Sequence, residues 1–256
     1  MSFAADSWHL FQRHLLATLR LPIWIAVTLR QPVIWLALFG QLFRRVVDIP
    51  GFEATSYIEF LTPGVVVMNA LFGAAWSGMG LINDLNEGVV DRMLATPVHR
   101  GALIAARVLH AAFTIGIQSL IILALGLALG AHFASGILGA LTTLIPAMLL
   151  GASFAALSSG LALITRREET LIAIVNFFGL PLSFLSASFM SAALMPDWVR
   201  AISTVNPVNW AVTAARSAVA GGDWTTVWIN CALLAAVVIA TGFFATQAFR
   251  AYRRSA

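Results

Sequence analysis

Leu103-Ile-Ala-Ala-Arg-Val-Leu-His-Ala-Ala-Phe-Thr-Ile-Gly-Ile-Gln-Ser-Leu-Ile-Ile-Leu-Ala-Leu-Gly-Leu-Ala-Leu129 is the stretch that decides the fold class. An α-helix rises 1.5 Å per residue and needs about 20 residues to cross a ~30 Å hydrocarbon core, which this run exceeds. Its charged positions, Arg107 and His110, lie near its start. Similar runs occur at Thr62–Ile82, at Ile137–Ile164 with Pro146 inside, at Leu171–Leu194 with Asn176 and Pro181, and at Trp228–Phe249. A sixth, Leu21–Phe43, is broken by Arg30-Gln31-Pro32. An Arg at a span centre costs roughly 2.5–3.5 kcal/mol on insertion scales. Either Arg30 faces protein or water, or the membrane section begins nearer Pro32 and residues 21–29 lie at the interface. The expected fold is an all-α membrane protein with six transmembrane helices.

Composition agrees: 60% of the 256 residues are hydrophobic, only 10% are charged, and the mean hydropathy is +0.89. A soluble domain carries about 25% charged residues because its surface must be wetted. All 15 basic residues are Arg, and they gather at segment ends rather than along one face, which argues against a nucleic-acid partner. Without Lys there is no Walker-type phosphate loop. The Gly73…Gly78 spacing is followed by Met79 and lies within an apolar helix.

Other catalytic sets are missing from the sequence. His9, His14, His99, His110 and His132 are scattered without metal-ligand spacing. No Gly-x-Ser-x-Gly occurs. Cys231 sits in an apolar run and reads as a small buried hydrophobe. Glu168-Glu169 follow Arg166-Arg167 at a membrane boundary and read as a salt-bridged loop. Polar span residues are Asn69, Gln118, Asn176 and Asn230. No carboxylate lies deep in a span, as a proton- or sodium-coupled carrier would require, and no inverted repeat is visible. The first 20 residues mix Asp6, Arg13 and Arg20 with apolar positions, unlike a cleaved signal.

Six spans put both termini on one side. With the termini inside, inner segments hold Arg13, Arg20, Arg92, Arg100, Arg107, Arg166, Arg167, Arg250, Arg253 and Arg254, and outer segments only Arg44, Arg45, Arg200 and Arg216. The positive-inside rule then places both termini in the cytoplasm of a cell-membrane protein. Trp8, Leu10, Phe11, Leu15 and Leu19 recur at helical spacing, as in an amphipathic helix on the membrane surface or a partly polar start to the first span. The inner stretch from Asp84 to Arg100 places charged Glu87, Asp91 and Arg92 among apolar Val90, Met93 and Leu94, which suits a short surface helix ending before Pro97. A plain connecting loop could be shorter and less patterned. The outer stretch from Met195 to Trp224 is amphipathic, with Trp198, Trp210 and Trp224 suited to an interface and a break at Asn206-Pro207. It is either a re-entrant lid or a pair of surface-lying helices.

Leu61-Thr-Pro-Gly64 at the second span, followed by Asp84-Leu, Glu87-Gly88, Asp91-Arg92-Met-Leu and Pro97, resembles the permease family of type-2 ATP-binding-cassette exporters. The daunorubicin-resistance and nodulation-factor branch is the most similar. The likeness continues through Arg107, Glu168-Glu169, Pro181 with Phe184, Met195-Pro196 and Asn206-Pro207, and so covers essentially the whole chain. The Leu-x-Pro-Gly and Asp-Arg…Pro elements are fairly specific together.

The resemblance implies one permease domain over residues 1–256 that dimerises with a second copy or a paralogue. It implies a separate ATPase subunit, which holds ATP and Mg, while this chain binds no cofactor or metal and is no enzyme by itself. Residues 84–98 would be the coupling helix, with Glu87, Gly88, Val90, Asp91, Arg92, Met93, Leu94 and Pro97 at the contact. Glu87 and Arg92 would fix that helix while the apolar residues seat in the ATPase. Residues 1–20 would be the connecting helix, using Phe11, Arg13 and Leu15. Residues 195–224 would gate the exit through Met195, Pro196, Trp198, Asn206 and Pro207. Pathway candidates are Asn69, Asn176, Phe177, Pro181 and Phe184, for a hydrophobic or amphipathic drug, lipid or glycolipid moved outward past membrane lipid. Arg30 departs from the family picture. A secondary carrier or a membrane-embedded enzyme is the competing reading.

Overall fold

In lipid every backbone N–H and C=O must be bonded within the protein, which favours helices. The computed structural model describes residues 3–19, 22–49, 52, 54, 56–94 and 100–255, and no strand occurs among them. The helices are α1 (Phe3–Leu19), α2 (Pro22–Leu42), α3 (Tyr57–Ala75), α4 (Ser77–Asn86), α5 (Val89–Leu94), α6 (Arg100–Ala128), α7 (Gly136–Thr142), α8 (Leu144–Thr165), α9 (Glu168–Phe184), α10 (Asp197–Ser203), α11 (Pro207–Ala220) and α12 (Trp224–Ser255). Short 3-10 turns lie at Arg44–Asp48 and Ala192–Leu194. Among the described residues four stretches are long and apolar enough to cross a membrane: Tyr57–Asn86, Gly101–Ala128, Gly136–Thr165 and Trp224–Tyr252.

Helix α8 is the centre of the bundle, packed against α3, α4, α6, α11 and α12. Its sequence explains the position. Without a hydrophobic force between helices in lipid, close backbone approach and dispersion hold them together, and small residues permit both. Gly151, Ala152, Ser153, Ala155, Ala156, Ser158, Ser159 and Gly160 are all buried. A Cβ at Gly160 would lie 2.6 Å from the Phe244 ring of α12, and one at Gly151 would lie 2.1 Å from the Ile115 side chain of α6.

The α3–α4 stretch is interrupted at Trp76, and the cause is local. Ser158 Oγ donates to the Ala75 carbonyl and accepts from Gly78 N–H at 3.1 Å, so a side chain of α8 satisfies backbone groups freed at the break. Gly78 is required there, since its Cβ would meet Ser158 Oγ at 2.4 Å.

Helix α2 runs unbroken through Pro32, leaving Arg30 and Gln31 exposed while Pro32 is buried. Leu29 and Leu36 fasten it to the core shared with α3 and α6. Helix α9 has 17 residues and ends at Phe184, short of the expected Leu194. Asn206 explains the stop: its Nδ2 donates to the carbonyls of Leu182 at 2.7 Å and Leu185 at 2.8 Å, capping the helix end. The chain then turns through buried Ser186, Ser188 and Ser191. Glu168 and Glu169 occupy the first turn of α9, where acidic charge suits the helix dipole. Arg166, the left-handed residue that ends α8 with φ 53°, lies over the Tyr252 ring.

Candidate coupling and ligand-binding site

At one end of the bundle α1, α4, α5, α6 and α12 converge. Asp84 on α4 pairs with Arg107 on α6, and the side chains keep only 24% and 13% of their exposure. Around the pair stand His14, Leu81, Val90, Leu103, Ile104 and Phe249, enclosing a void of only about 10 Å³. Helix α1 joins through Phe11, whose ring meets Phe113 edge-on at 5.8 Å, and through His14, whose ring lies 5.7 Å from that of His110. Burial first, then the positive charge of Arg107, His110 and Arg13, lowers the His14 pKa from 6.5 to about 3, so its imidazole is neutral at physiological pH.

On α1 Phe11 is buried and Leu15 half-buried, with Asp6 and Ser7 also inward, whereas Trp8 and Arg13 are exposed. Gly88 separates α4 from α5 with φ 66°, a conformation that costs other residues a clash between Cβ and carbonyl. Beyond it Arg92 is exposed, and its Nη2 donates to the Glu87 carbonyl at 3.3 Å. Glu87 is exposed as well. Val90 is not: it is 3% exposed and packs among Leu81, Ile82, Leu103 and Ile104. The expectation that Val90 seats in a partner is therefore corrected, because this chain's own core takes it. The backbone of Asp91, Met93 and Leu94 continues α5, and Pro97 lies outside the described residues.

Midway along the bundle a cleft of about 230 Å³ opens between α2, α3 and α6. Asn69 Nδ2 donates to Gln118 Oε1 at 2.9 Å, and Gln118 Nε2 donates to Thr28 Oγ1 at 2.9 Å, forming a polar chain across three helices. Arg30, Gln31, Trp35, Phe72 and Trp76 line the same cleft. Of the pathway candidates the structure brings only Asn69 here. Asn176, Phe177, Pro181 and Phe184 sit on the exposed side of α9, where Phe177 is 73% exposed. Asn176 bonds its own helix at the Ile172 carbonyl. Thr28, Trp35, Phe72 and Trp76 escaped sequence reasoning; the signal available was the pairing of two amides, Asn69 and Gln118, in neighbouring apolar runs.

At the other end Gly64 of α3 lets the backbone of the 185–191 turn approach, since a Cβ there would lie 2.3 Å from the Ser188 carbonyl oxygen. That carbonyl accepts from Arg216 Nη2 at 3.1 Å, and the Arg216 guanidinium also stacks over Phe60 at 3.5 Å. Thr62 fits against Gly126 of α6, whose Cβ would lie 2.7 Å from it. The Leu61-Thr-Pro-Gly64 motif is thus a pair of close contacts. Asn206 caps α11 by accepting from Val208 N–H at 2.9 Å, with Pro207 in the first turn. Met195 is buried, Pro196 is exposed, and Trp198 is 64% exposed on α10.

An all-helical bundle with four membrane-length helices among the described residues defines a multi-pass membrane protein. Residues 6–219 match the family described as ABC-2 type transporter, and the chain belongs to that family. It is similar to the daunorubicin resistance ABC transporter permease protein DrrB1 of Streptomyces coeruleorubidus, with 27% identity over 252 residues, covering 98% of this chain and 86% of that protein. It is also similar to the inner membrane transport permease YadH of Escherichia coli strain K12, with 30% identity over 206 residues, covering 76% and 75% respectively. Membership makes this chain the transmembrane subunit of an ABC exporter, working with an ATP-binding-cassette ATPase.

Proposed function

We propose that this chain is a six-span export permease that moves a hydrophobic or amphipathic substrate outward, driven by ATP and Mg held on the partner ATPase. In this reading α2 and α9 complete the six spans beside the four longer stretches, and both termini are cytoplasmic. The DrrB1 likeness favours a drug among the drugs, lipids and glycolipids that an apolar pathway would suit. A second copy or paralogue would meet the chain beside the exposed aromatic side of α9, where Asn176, Phe177, Pro181 and Phe184 would line the pathway. The segment from Met195 to Trp224, with Met195, Pro196, Trp198, Asn206 and Pro207, would control the exit.

The observation that carries the reading is the Asp84–Arg107 pair. A partner can move these helices only through a contact whose free energy differs between two states. Glu87 and Arg92 are exposed just beyond the pair and form that contact with the ATPase, while Val90 anchors α5 inward. Gly88, Asp91, Met93, Leu94 and Pro97 shape the same docking segment, and α1 supports it through Phe11, Arg13 and Leu15. The test is Arg92→Ala in the complex reconstituted with its ATPase. Expected is continued ATP hydrolysis with transport lost at normal expression; unchanged transport would reject the assignment.

A further inference from the structure

We propose that the cleft between α2, α3 and α6 binds the anionic headgroup of an amphiphile, with Arg30 supplying the opposite charge. The cleft sits deep. Asn69 lies about 18 Å along the helix from Tyr57, in a stretch of 30 residues, so it is near the middle of the span. Arg30 is exposed and lines the cleft, and no Asp or Glu lines it. No ion pair to Arg30 occurs among the described residues. A guanidinium is a permanent cation with five donors in a planar fork that fits carboxylate and phosphate oxygens. Placed within an apolar helix it needs a counter-charge, and none stands beside it among the described residues.

The surroundings add selectivity. The Asn69–Gln118–Thr28 chain fixes the direction of each amide, because every bond runs from N–H to oxygen. It leaves the second N–H of Asn69 for an acceptor in the cleft. Trp35, Phe72 and Trp76 supply apolar walls. A volume of about 230 Å³ holds a phosphate or carboxylate and the carbons beside it, not a whole lipid or drug. The apolar remainder then lies along α2, where Val27, Ile34 and Leu38 are about half exposed. A bulk lipid keeps its headgroup at the interface, so an occupant of the cleft must leave that position for the Arg30 cation, with or without an ATPase present. That the natural occupant is cargo rests on the export reading; the binding itself does not.

The experiment uses the full chain in phosphatidylcholine vesicles without an ATPase, so its failure and a failure of transport are separate results. Brominated phosphatidylglycerol is titrated in and quenching of tryptophan is read, with brominated phosphatidylcholine as reference. Expected is saturable extra quenching by the anionic lipid, lost when Trp35 and Trp76 are replaced by Phe. Arg30→Gln should weaken it about tenfold or more, as loss of a charge-assisted bond implies. Arg30→Lys should keep the preference for the anion and shows that the fold tolerates change at this position. Displacement by dodecyl phosphate supports a site for any anionic amphiphile. Displacement only by two-chain anionic lipid supports the same chemistry with a membrane lipid as its source. Equal quenching by both lipids, a preference unchanged in Arg30→Gln, or equal displacement by dodecyltrimethylammonium would overturn the proposal.

Discussion

Replacing Asp84 with Asn tests the joint between α4 and α6. Removing one partner of a fully buried ion pair costs about 3–5 kcal/mol, because the other charge is left desolvated; exposed pairs are worth under about 1 kcal/mol. This pair lies nearer the first limit, with 13% exposure left to the Arg107 side chain and 24% to Asp84. Asn keeps one acceptor oxygen but not the charge, so the expected loss is about 2–3 kcal/mol. Arg107→Gln in the same chain removes the stranded cation. The double variant should then be less destabilised than the sum of the two single variants, with a coupling energy of about 1–3 kcal/mol. Equilibrium unfolding in mixed micelles, followed by tryptophan fluorescence, measures all four corners of the cycle. A loss under about 0.5 kcal/mol in Asp84→Asn, or strict additivity, would refute the claim that this pair holds the segment.

Three further outcomes follow from the geometry. Gly64→Ala should destabilise by about 1–3 kcal/mol through overpacking, because its Cβ would lie 2.3 Å from the Ser188 oxygen; Gly73→Ala, whose Cβ meets nothing nearer than 3.8 Å, is the control, and equal thermal shifts would contradict the account. Asn206→Ala removes a helix cap and two donors to the end of α9, for a loss of about 2–4 kcal/mol in the same unfolding assay, and Asn206→Asp should lose at least as much although it keeps the cap acceptor, because its carboxylate sets an acceptor-only oxygen against the Leu182 and Leu185 carbonyls; recovery of stability by Asp would contradict the account. His14 has a folded pKa depressed from 6.5 to about 3, so the unfolded chain binds its proton first and stability falls as pH drops below about 6.5 toward 3. Facing it are Arg107, His110, Arg13 and Asp84, so the His14 share is read as the slope between pH 6.5 and 5 that disappears in His14→Gln; an unchanged slope would count against its burial.

Long apolar runs were legible from sequence because lipid removes the ambiguity of amphipathic patterning: Thr62–Ile82, Leu103–Leu129, Ile137–Ile164 and Trp228–Phe249 each correspond to a membrane-length helix. The run Leu171–Leu194 misled at its end, since it stops at a long-range event. Asn206 reaches back to cap the carbonyls of Leu182 and Leu185, and no local signal records such a bond. The same limit applies to Val90. In a six-residue helix two hydrophobic faces can be drawn from spacing alone, and which one is buried depends on Leu103, Ile104 and Phe249, distant in sequence.

The Leu-x-Pro-Gly motif and the Asp84 segment lie at opposite ends of one pair of helices, and this gives the resemblance a physical basis. Gly64 presses α3 against the Ser188 turn, which Arg216 of α11 also holds. Asp84, at the far end of α4, is tied to α6. Between them the only break is at Trp76, and Ser158 bridges it by bonding the backbone on both sides. A shift of the Asp84 end therefore meets α8 before it reaches Gly64, and the break can act either as a hinge or as a brace. The bond to Gly78 N–H and the close fit of Gly78 on Ser158 argue for a brace, because bending there would strip a buried N–H of its partner at a cost of about 1–3 kcal/mol. On that reasoning α3 and α4 move together with α8, and the Asn69 cleft, carried on α3, changes shape against α2 rather than against the bundle centre.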